Sequence, residues 1–139
     1  MQAKVTSRQQ AEQVLRDRGV QPTAQRVEVL YLLHACHRHI GADELFEQLN
    51  EEFSRVSRAT VYNTLSLLRD HGLLTEVVVE PGKVLYDGNT QPHYHFYNVD
   101  TGAVTDVPVD QVGFTCLPVL PEGTTFRSLD VVIKVGGIA

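Results

Sequence analysis

The stretch S-R-A-T-V-Y-N-T-L-S-L-L-R-D-H-G, residues 57–72, predicts a helix with two contrasting faces. Ser57 is a favourable N-cap, and Val61, Leu65 and Leu68 follow at positions i, i+4 and i+7 of one apolar face. The opposite face is small, polar and partly aromatic: Arg58, Ala59, Thr60, Tyr62, Asn63 and Ser66. Solvated helix faces are usually rich in long charged side chains, so this composition favours close contact with a polar partner over ordinary exposure.

The segments on either side of this helix complete a recognisable motif. After it, L-L-T-E-V-V-V-E and K-V-L-Y-D are joined by Pro81-Gly82, which predicts a β-hairpin. Before it come three helical patterns. The first is capped by Ser7, and the second is capped by Thr23 with Val27, Leu30 and either Leu33 or His34 facing inward, so that His34 is a helix-surface or a packing histidine. The third runs from about Ala42 to Phe53, with Leu45, Phe46 and Leu49 facing inward and acidic residues on its outer side. Helices that end in a polar-faced helix and a hairpin predict a winged helix-turn-helix, in which the polar-faced helix enters the DNA major groove.

The remaining sequence changes from helical to strand-like patterns. The runs H-Y-H-F-Y-N-V, A-V-T-D-V-P-V and L-D-V-V-I-K-V predict strands, the first two joined by the turn D-T-G, while Pro118 and Pro121 leave room for only a short helix within residues 110–120. We therefore predict an α+β protein with a winged-helix domain over residues 1–86 and a small α+β domain over residues 87–139. Apolar strand edges in the second domain would suit a homodimer.

Composition and charge narrow the classes of function. Hydrophobic residues make up 42% of the chain and charged residues 21%, as in soluble globular proteins, and no apolar run approaches the roughly 18 residues needed to span a bilayer. The N-terminal sequence lacks the apolar core of a secretory signal, so we expect a cytoplasmic location and no membrane association. In that compartment Cys36 and Cys116 are expected to be reduced thiols, and Cys116 is expected to be a small core residue.

The net charge of −5 opposes bulk attraction to nucleic acid, but the charge is unevenly distributed. Residues 1–86 carry ten Lys or Arg against eleven Asp or Glu, whereas residues 87–139 carry two against six. Any DNA-binding face is therefore expected in the first domain.

The segment Y-D-G-N-T-Q-P-H-Y-H-F, residues 86–96, contains candidate metal ligands. His93 and His95 are separated by one residue, so on a β-strand both imidazoles would project from the same face and could chelate one ion. Such a pair alone is more often two ordinary surface histidines than a metal site. Three further candidates are Asp87 after the hairpin, Asp106 on the returning strand, and His39 before the third helix.

Three imidazoles and two carboxylates without a thiolate make up this candidate set. Softness and geometry favour iron(II) or manganese(II) over a closed structural zinc site, although zinc(II) competes in vitro through its higher affinity.

Five short runs occur in a fixed order along the chain: G-V-Q-P-T-A-Q-R, H-I-G-A-D-E-L-F, S-R-A-T-V-Y-N-T-L-S-L-L, Y-D-G-N-T-Q-P-H-Y-H and T-G-A-V-T-D. Covering about Val20 to Asp106, they closely resemble the ferric uptake regulator family of metal-dependent transcription factors. The resemblance implies a homodimer with an N-terminal winged helix, a C-terminal dimerisation domain and a regulatory metal site at the hinge. It also implies a palindromic double-stranded DNA operator.

The resemblance assigns the regulatory metal to five positions: His39, Asp87, His93, His95 and Asp106. Aspartates at both acidic positions, together with H-Y-H, look most like the peroxide-responsive branch, in which peroxide and iron(II) oxidise a coordinating histidine. At the front of the polar-faced helix, the expected DNA contacts are Arg58, Thr60, Tyr62 and Asn63. Arg26 is expected on phosphate, with a structural ion pair as the alternative role.

Three departures from the family pattern stand out. Asn98 and Thr101 occupy positions where many members carry cysteines for a structural zinc, so no structural zinc is expected. The C-terminal sequence resembles the iron response regulator branch, some of whose members respond to haem, but Cys36 precedes His37 rather than the proline of the haem-associated pair. Gln21 stands where the family often has a basic residue for the minor groove.

The leading hypothesis is a transcriptional regulator, read as a repressor and not an enzyme, that senses iron, manganese or peroxide. One alternative is a haem-responsive regulator of the same fold, with Cys36, His37, His93 and His95 as candidate ligands. Another is a mononuclear non-haem iron enzyme with a two-histidine, one-carboxylate centre. The enzyme is disfavoured because the chain offers no second pocket-forming domain and would leave its N-terminal half without a role.

Overall fold

The computed structural model describes residues 5–35, 39–52 and 56–138. The chain forms two compact units, Met1–Gln91 and Pro92–Ala139. Helices dominate the first unit and strands the second, which confirms the predicted α+β class. The predicted division of function between residues 1–86 and 87–139 remains a prediction.

The first unit contains four helices and three strands among its described residues. They are α1 (Arg8–Asp17), α2 (Ala24–Ala35), β1 (Ile40–Gly41), α3 (Ala42–Glu52), α4 (Arg58–Asp70), β2 (Thr75–Glu80) and β3 (Lys83–Asp87). This order, helices followed by a hairpin, is that of the predicted winged helix. Across the described ranges, no helix has both the length and the apolar character required to cross a membrane.

The predicted N-caps set where the helices begin. The Oγ of Ser7 accepts a hydrogen bond from the Gln10 amide at 3.1 Å, and the Oγ of Ser57 accepts one from the Thr60 amide at 3.0 Å. Thr23 accepts from the amide of Arg26 at 3.3 Å. Each bond satisfies a backbone donor that the helix itself leaves without an acceptor.

Leucine is the commonest residue in the first unit's core. Its largest fully buried side chains are Leu15, Leu30, Leu33, Ile40, Leu45, Leu49, Leu65 and Leu68. Each contributes about 1.5–3 kcal/mol through removal from water. Val27 and Phe46, expected to face inward, are only partly buried and pack against this core.

One charged residue is buried in the first unit, contrary to a simple apolar pattern. Glu28 is 4% exposed and accepts two hydrogen bonds from the Arg8 guanidinium, at 2.6 and 2.9 Å. Because both carboxylate oxygens are engaged, this pair connects α1 to α2 without leaving a buried charge uncompensated.

The three strands of the first unit form an antiparallel sheet in the order β1-β3-β2. Gly82 has a φ of +78°, a conformation that glycine adopts without steric cost, and it turns the chain between β2 and β3. Tyr86 pairs with Ile40 on one side and Glu76 on the other, so the short β1 extends the predicted hairpin into a third strand.

The second unit is a three-stranded sheet made from β4 (Tyr94–Asn98), β5 (Val104–Val107) and β6 (Val132–Val135). The central β4 pairs antiparallel with β5 and parallel with β6, which confirms the three predicted strands. The Asn98 Oδ1 accepts from the amides of Asp100 and Thr101, and these bonds close the turn between β4 and β5.

The segment between β5 and β6 differs from expectation. A single 3-10 turn, Val109–Gln111, stands where a short helix was considered, because prolines and Gly113 interrupt the following sequence. Cys116 lies in this segment and is exposed, so its assignment as a small core residue was wrong. The neighbouring apolar side chains Phe114 and Leu117 are also about half exposed, and no core surrounds the thiol in the part of the chain that the structure describes.

Candidate metal centre and nucleic-acid interface

Strand pairing in the first unit brings together two of the five predicted metal ligands. Since β1 and β3 are antiparallel with Ile40 opposite Tyr86, the residues just outside that pair, His39 and Asp87, meet. The His39 Nε2 lies 3.2 Å from the Asp87 Oδ2, with the side chains 5% and 14% exposed. The other oxygen, Oδ1, accepts the Asn89 amide at 3.0 Å and thereby holds the carboxylate in one orientation.

A close packing contact supports the backbone that carries Asp87. A Cβ added at Gly88 would lie 2.9 Å from the His34 Cδ2 and 3.1 Å from the Leu33 carbonyl oxygen, so only glycine fits here without displacement. Burial lowers the pKa of His34, and the Asp87 carboxylate partly opposes that shift. His34 is therefore a packing histidine, one of the two roles that the sequence suggested.

In the second unit, strand register brings together the other three predicted ligands. His95 on β4 pairs with Asp106 on β5, and His93 immediately precedes β4. The two imidazole rings have centroids 4.6 Å apart, and the His93 Nε2 lies 3.5 Å from the Asp106 Oδ1. Each of the three residues offers one ligand atom, and these atoms lie within 4.8 Å of one another.

The chemistry of these donors fits a divalent transition metal. Each unit combines imidazole nitrogen with carboxylate oxygen, and neither combination includes a thiolate. Imidazole with carboxylate suits iron(II), manganese(II) or zinc(II), whereas a closed structural zinc site usually contains cysteine. The His39 and His93 side chains are 5% and 7% exposed, and His95 is buried.

The polar face of α4 has the exposure expected of a nucleic-acid interface. Tyr62 is 49% exposed, and Asn63 beside it is also exposed. Thr60 is less accessible, because its hydroxyl lies 2.9 Å from the Ser57 Oγ within the N-cap. Of the predicted DNA contacts on this face, Thr60 therefore has a structural role as well.

Two predicted DNA-binding arginines have contacts that the sequence did not reveal. Arg26 donates to the Gln21 carbonyl oxygen at 3.0 Å, and among the described residues it does not form the ion pair considered as its alternative role. Arg58 forms a close ion pair with Asp43 and lies over the Phe46 ring, 4.5 Å from its centroid. Asp43 had been read only as part of the acidic outer side of α3, and the spacing of 15 residues between the partners carries no pattern that would have predicted the pair.

Two of the four candidate haem ligands, Cys36 and His37, lie outside the described residues. The other two, His93 and His95, belong to the cluster described above.

The fold and these side chains define a class: winged-helix proteins with clustered histidines and aspartates. Residues 17–116 match the model of the ferric uptake regulator family, and the chain belongs to that family.

The relatives are consistent with this assignment. The peroxide-responsive repressor PerR of Staphylococcus aureus (strain USA300) is 35% identical over 98 residues, which are 70% of this chain and 66% of that protein. The chain thus matches slightly less than two thirds of that relative's length. The Vibrio cholerae ferric uptake regulator has a TM-score of 0.68 at 26% identity, covering 90% of this chain and 98% of the other.

The fold is also that of the Campylobacter jejuni peroxide stress regulator. The TM-score is 0.62 at 24% identity, with 94% of this chain and 96% of the other covered.

Proposed function

We propose that this protein is a metal-dependent, DNA-binding transcriptional repressor. Its regulatory metal would be bound by His39, Asp87, His93, His95 and Asp106. The observation that carries the proposal is the pairing of imidazole with carboxylate in both units. The His39 Nε2 lies 3.2 Å from the Asp87 Oδ2 in the first unit, and the His93 Nε2 lies 3.5 Å from the Asp106 Oδ1 in the second. Membership of a family of regulators points to regulation rather than catalysis. A cytoplasmic location follows from the proposed action on DNA.

The proposed ligands divide into two sets that belong to different units of the chain. His39 and Asp87 are part of the winged-helix unit, whereas His93, His95 and Asp106 are part of the second unit. A bound divalent cation would supply positive charge to the carboxylate of each set, Asp87 in the first and Asp106 in the second. Ligands from both units would then restrict how the winged helices are presented to DNA. A coupling of about 1.4 kcal/mol is enough to change operator affinity tenfold.

Iron(II) and manganese(II) are the proposed metals, and peroxide is the favoured signal. The donor set suits both metals, and the S. aureus relative is named as a peroxide-responsive repressor. Imidazoles within the cluster, such as His93 and His95, would be the targets of oxidation when iron is bound. Manganese would resist that chemistry.

The second unit would mediate homodimerisation. Its exposed apolar side chains include Phe114, Leu117, Val119, Leu120 and Phe126. Burial of such side chains against a second copy would be favourable, at about 25 cal/mol for each Å² removed from water. A two-fold symmetric dimer would in turn match a palindromic operator, with one recognition helix for each half-site.

The test of the proposal compares wild-type protein with His93→Ala. Manganese-loaded wild type is first used to select a binding site from a pool of random double-stranded DNA. Affinity for the selected duplex is then measured with and without Mn(II). We expect manganese to raise wild-type affinity by about tenfold or more and to have no such effect on His93→Ala.

His71→Ala is the matched control, because His71 is an exposed histidine at the C-terminus of α4 whose imidazole bonds only to the Leu67 carbonyl among the contacts described. This variant should respond to manganese like wild type. A His93→Ala protein with an unchanged manganese response would exclude the proposed site, and a failure of wild type to select any sequence would exclude DNA recognition.

A peroxide challenge then separates the proposed signals. Protein loaded anaerobically with iron(II) should lose operator affinity after peroxide, while manganese-loaded protein should retain it. Oxygen addition to the peptide that contains His93 and His95, measured by mass spectrometry, would identify the oxidised residues. Equal resistance of both forms would favour iron or manganese itself as the signal.

A further inference from the structure

The N-terminus of α4 presents an arginine that is held from two sides. The Arg58 guanidinium forms a close ion pair with the Asp43 carboxylate and lies 4.5 Å from the centroid of the Phe46 ring. Asp43 and Phe46 are three residues apart on α3, so they share one face of that helix. The guanidinium is therefore contacted by a carboxylate and by an aromatic ring at the same time.

Fold stability does not account for this arrangement. The Arg58 and Asp43 side chains are 59% and 76% exposed, and exposed ion pairs contribute little because water and salt screen them. Affinity for DNA does not account for it either. A carboxylate beside the proposed recognition helix repels phosphate and offsets the charge that Arg58 would bring to the DNA.

Orientation of the guanidinium explains why an acidic residue would stand at this position. Arginine has five N–H donors in a rigid plane, and the contact with Asp43 engages the terminal nitrogen Nη1. Among the described residues, Asp43 is the side chain to which this guanidinium donates, which leaves the Nε and Nη2 donors for a second acceptor. The O6 and N7 atoms of guanine in the major groove accept two parallel hydrogen bonds from an arginine held in this way.

We propose that Asp43 is a specificity-determining positioning residue: it holds the Arg58 guanidinium against Phe46 so that Arg58 reads a guanine in the operator. The inference rests on the proposed function, because it requires α4 to enter the major groove. It assigns Asp43 a role in discrimination between bases, whereas Arg58 makes the contact itself.

This role predicts opposite effects on two measurable quantities. Asp43→Asn removes a negative charge from the DNA-facing surface, so affinity for non-specific DNA should increase. The same change releases the guanidinium from its fixed orientation, so discrimination between the selected duplex and one with the critical guanine replaced should decrease by about tenfold. A simple electrostatic effect would change both affinities in the same direction and leave their ratio unaltered.

The experiment uses full-length manganese-loaded protein and the duplex selected by wild type. In one set of duplexes each G·C pair is replaced in turn by an A·T pair. In a second set each guanine is replaced in turn by 7-deazaguanine, which lacks the N7 acceptor but still pairs normally with cytosine. One guanine should account for the loss of discrimination in both Asp43→Asn and Arg58→Lys, because lysine keeps the charge but lacks the planar donor array. In the double variant, the two losses should not add.

Glu47→Gln is the matched control. Glu47 is exposed on α3 one turn beyond Asp43, and its replacement removes the same charge. It should leave the discrimination ratio unchanged, while helical circular dichroism and metal affinity of all variants should match wild type. The inference would be overturned if Asp43→Asn discriminated between the duplexes as well as wild type does, or if the selected site contained no critical guanine. Either result would leave the proposed function intact. If wild type selects no site at all, the proposed function fails and this inference fails with it.

Discussion

The two units of this chain differ in how they bury their apolar residues. The first unit has a continuous core of leucine, isoleucine and valine contributed by its helices and by β1. In the second unit only Tyr97, His95 and Val107 are buried among the described residues. All but two of the large apolar side chains that are exposed in the described ranges belong to the second unit, the exceptions being Tyr62 and Val78.

This difference indicates how each unit becomes stable. Helices can cover one another within a single chain, so the first unit meets its own requirement for apolar burial. The second unit, a three-stranded sheet without an α-helix among its described residues, does not meet it, and Val119 in the segment between β5 and β6 is 97% exposed. Exposed apolar patches of this kind are typical of surfaces that another protein covers.

Leu65→Ala should have the largest effect on stability. Leu65 is 1% exposed in the first unit's core, and truncation there should lower the free energy of unfolding by about 2–5 kcal/mol. Leu117→Ala in the second unit, where the side chain is 54% exposed, should change it by less than about 0.5 kcal/mol. Denaturant unfolding of the metal-free protein, at concentrations where it is monomeric, measures the change in unfolding free energy for each variant. Equal losses would contradict the contrast between the units.

Phe126→Asp should weaken dimerisation instead of unfolding the protomer. Phe126 is 59% exposed in the single chain, and loss of its burial at an interface would cost about 1.5–3 kcal/mol for each copy. Sedimentation should therefore show a dimer dissociation constant raised by tenfold or more. Val78→Asp makes the same kind of change at a 55% exposed position of the first unit and should leave association unaltered. A similar effect of both variants would argue against an interface in the second unit.

Gly88→Ala should disturb the backbone beside Asp87. The added methyl group would meet the His34 ring and the Leu33 carbonyl, and this overpacking should cost about 1–3 kcal/mol of unfolding free energy. We also expect weaker manganese binding, measured by calorimetry, because Asp87 would move. Gly113→Ala in the second unit has no atom within 4 Å of the added carbon and should be neutral in both measurements.

His34 should give the smallest effect, a dependence of stability on pH. Burial lowers its pKa in the folded protein below the ordinary 6.5. Below pH 6.5 the unfolded chain therefore binds a proton at His34 before the folded chain does, so stability should decline as pH falls through that range. Metal-free His34→Gln should show a shallower decline than wild type in denaturant titrations between pH 7 and 5. Identical slopes would show that His34 does not contribute.

Much of the fold could be predicted because its signals are local. The cap at Ser57 and the i, i+4, i+7 spacing of Val61, Leu65 and Leu68 depend on residues within a few turns of one another, and all four have the predicted roles. Pro81-Gly82 likewise predicted the hairpin through the conformational preferences of two adjacent residues. Those preferences hold before any tertiary contact forms.

Predictions were weakest where a residue's environment depends on distant partners. Cys116 was assigned to a core that the second unit does not provide, and Phe46 was placed inside whereas part of its ring is covered by the Arg58 guanidinium. Burial of Glu28 depended on Arg8, 20 residues away. No periodicity connects such pairs, so spacing alone could not predict their burial.

Periodicity, caps and donor chemistry are properties of short segments, so the α+β class, the winged helix and the imidazoles and carboxylates that could bind a metal were predictable from the linear order. Strand register was not predictable in this way: in the folded chain β1 brings His39 to Asp87, and β4 and β5 bring His95 to Asp106. The contact of Asp43 with Arg58 likewise depends on how α3 and α4 pack. Strand register and helix packing are global solutions to burying apolar surface, so they place side chains together that are unrelated in the linear order.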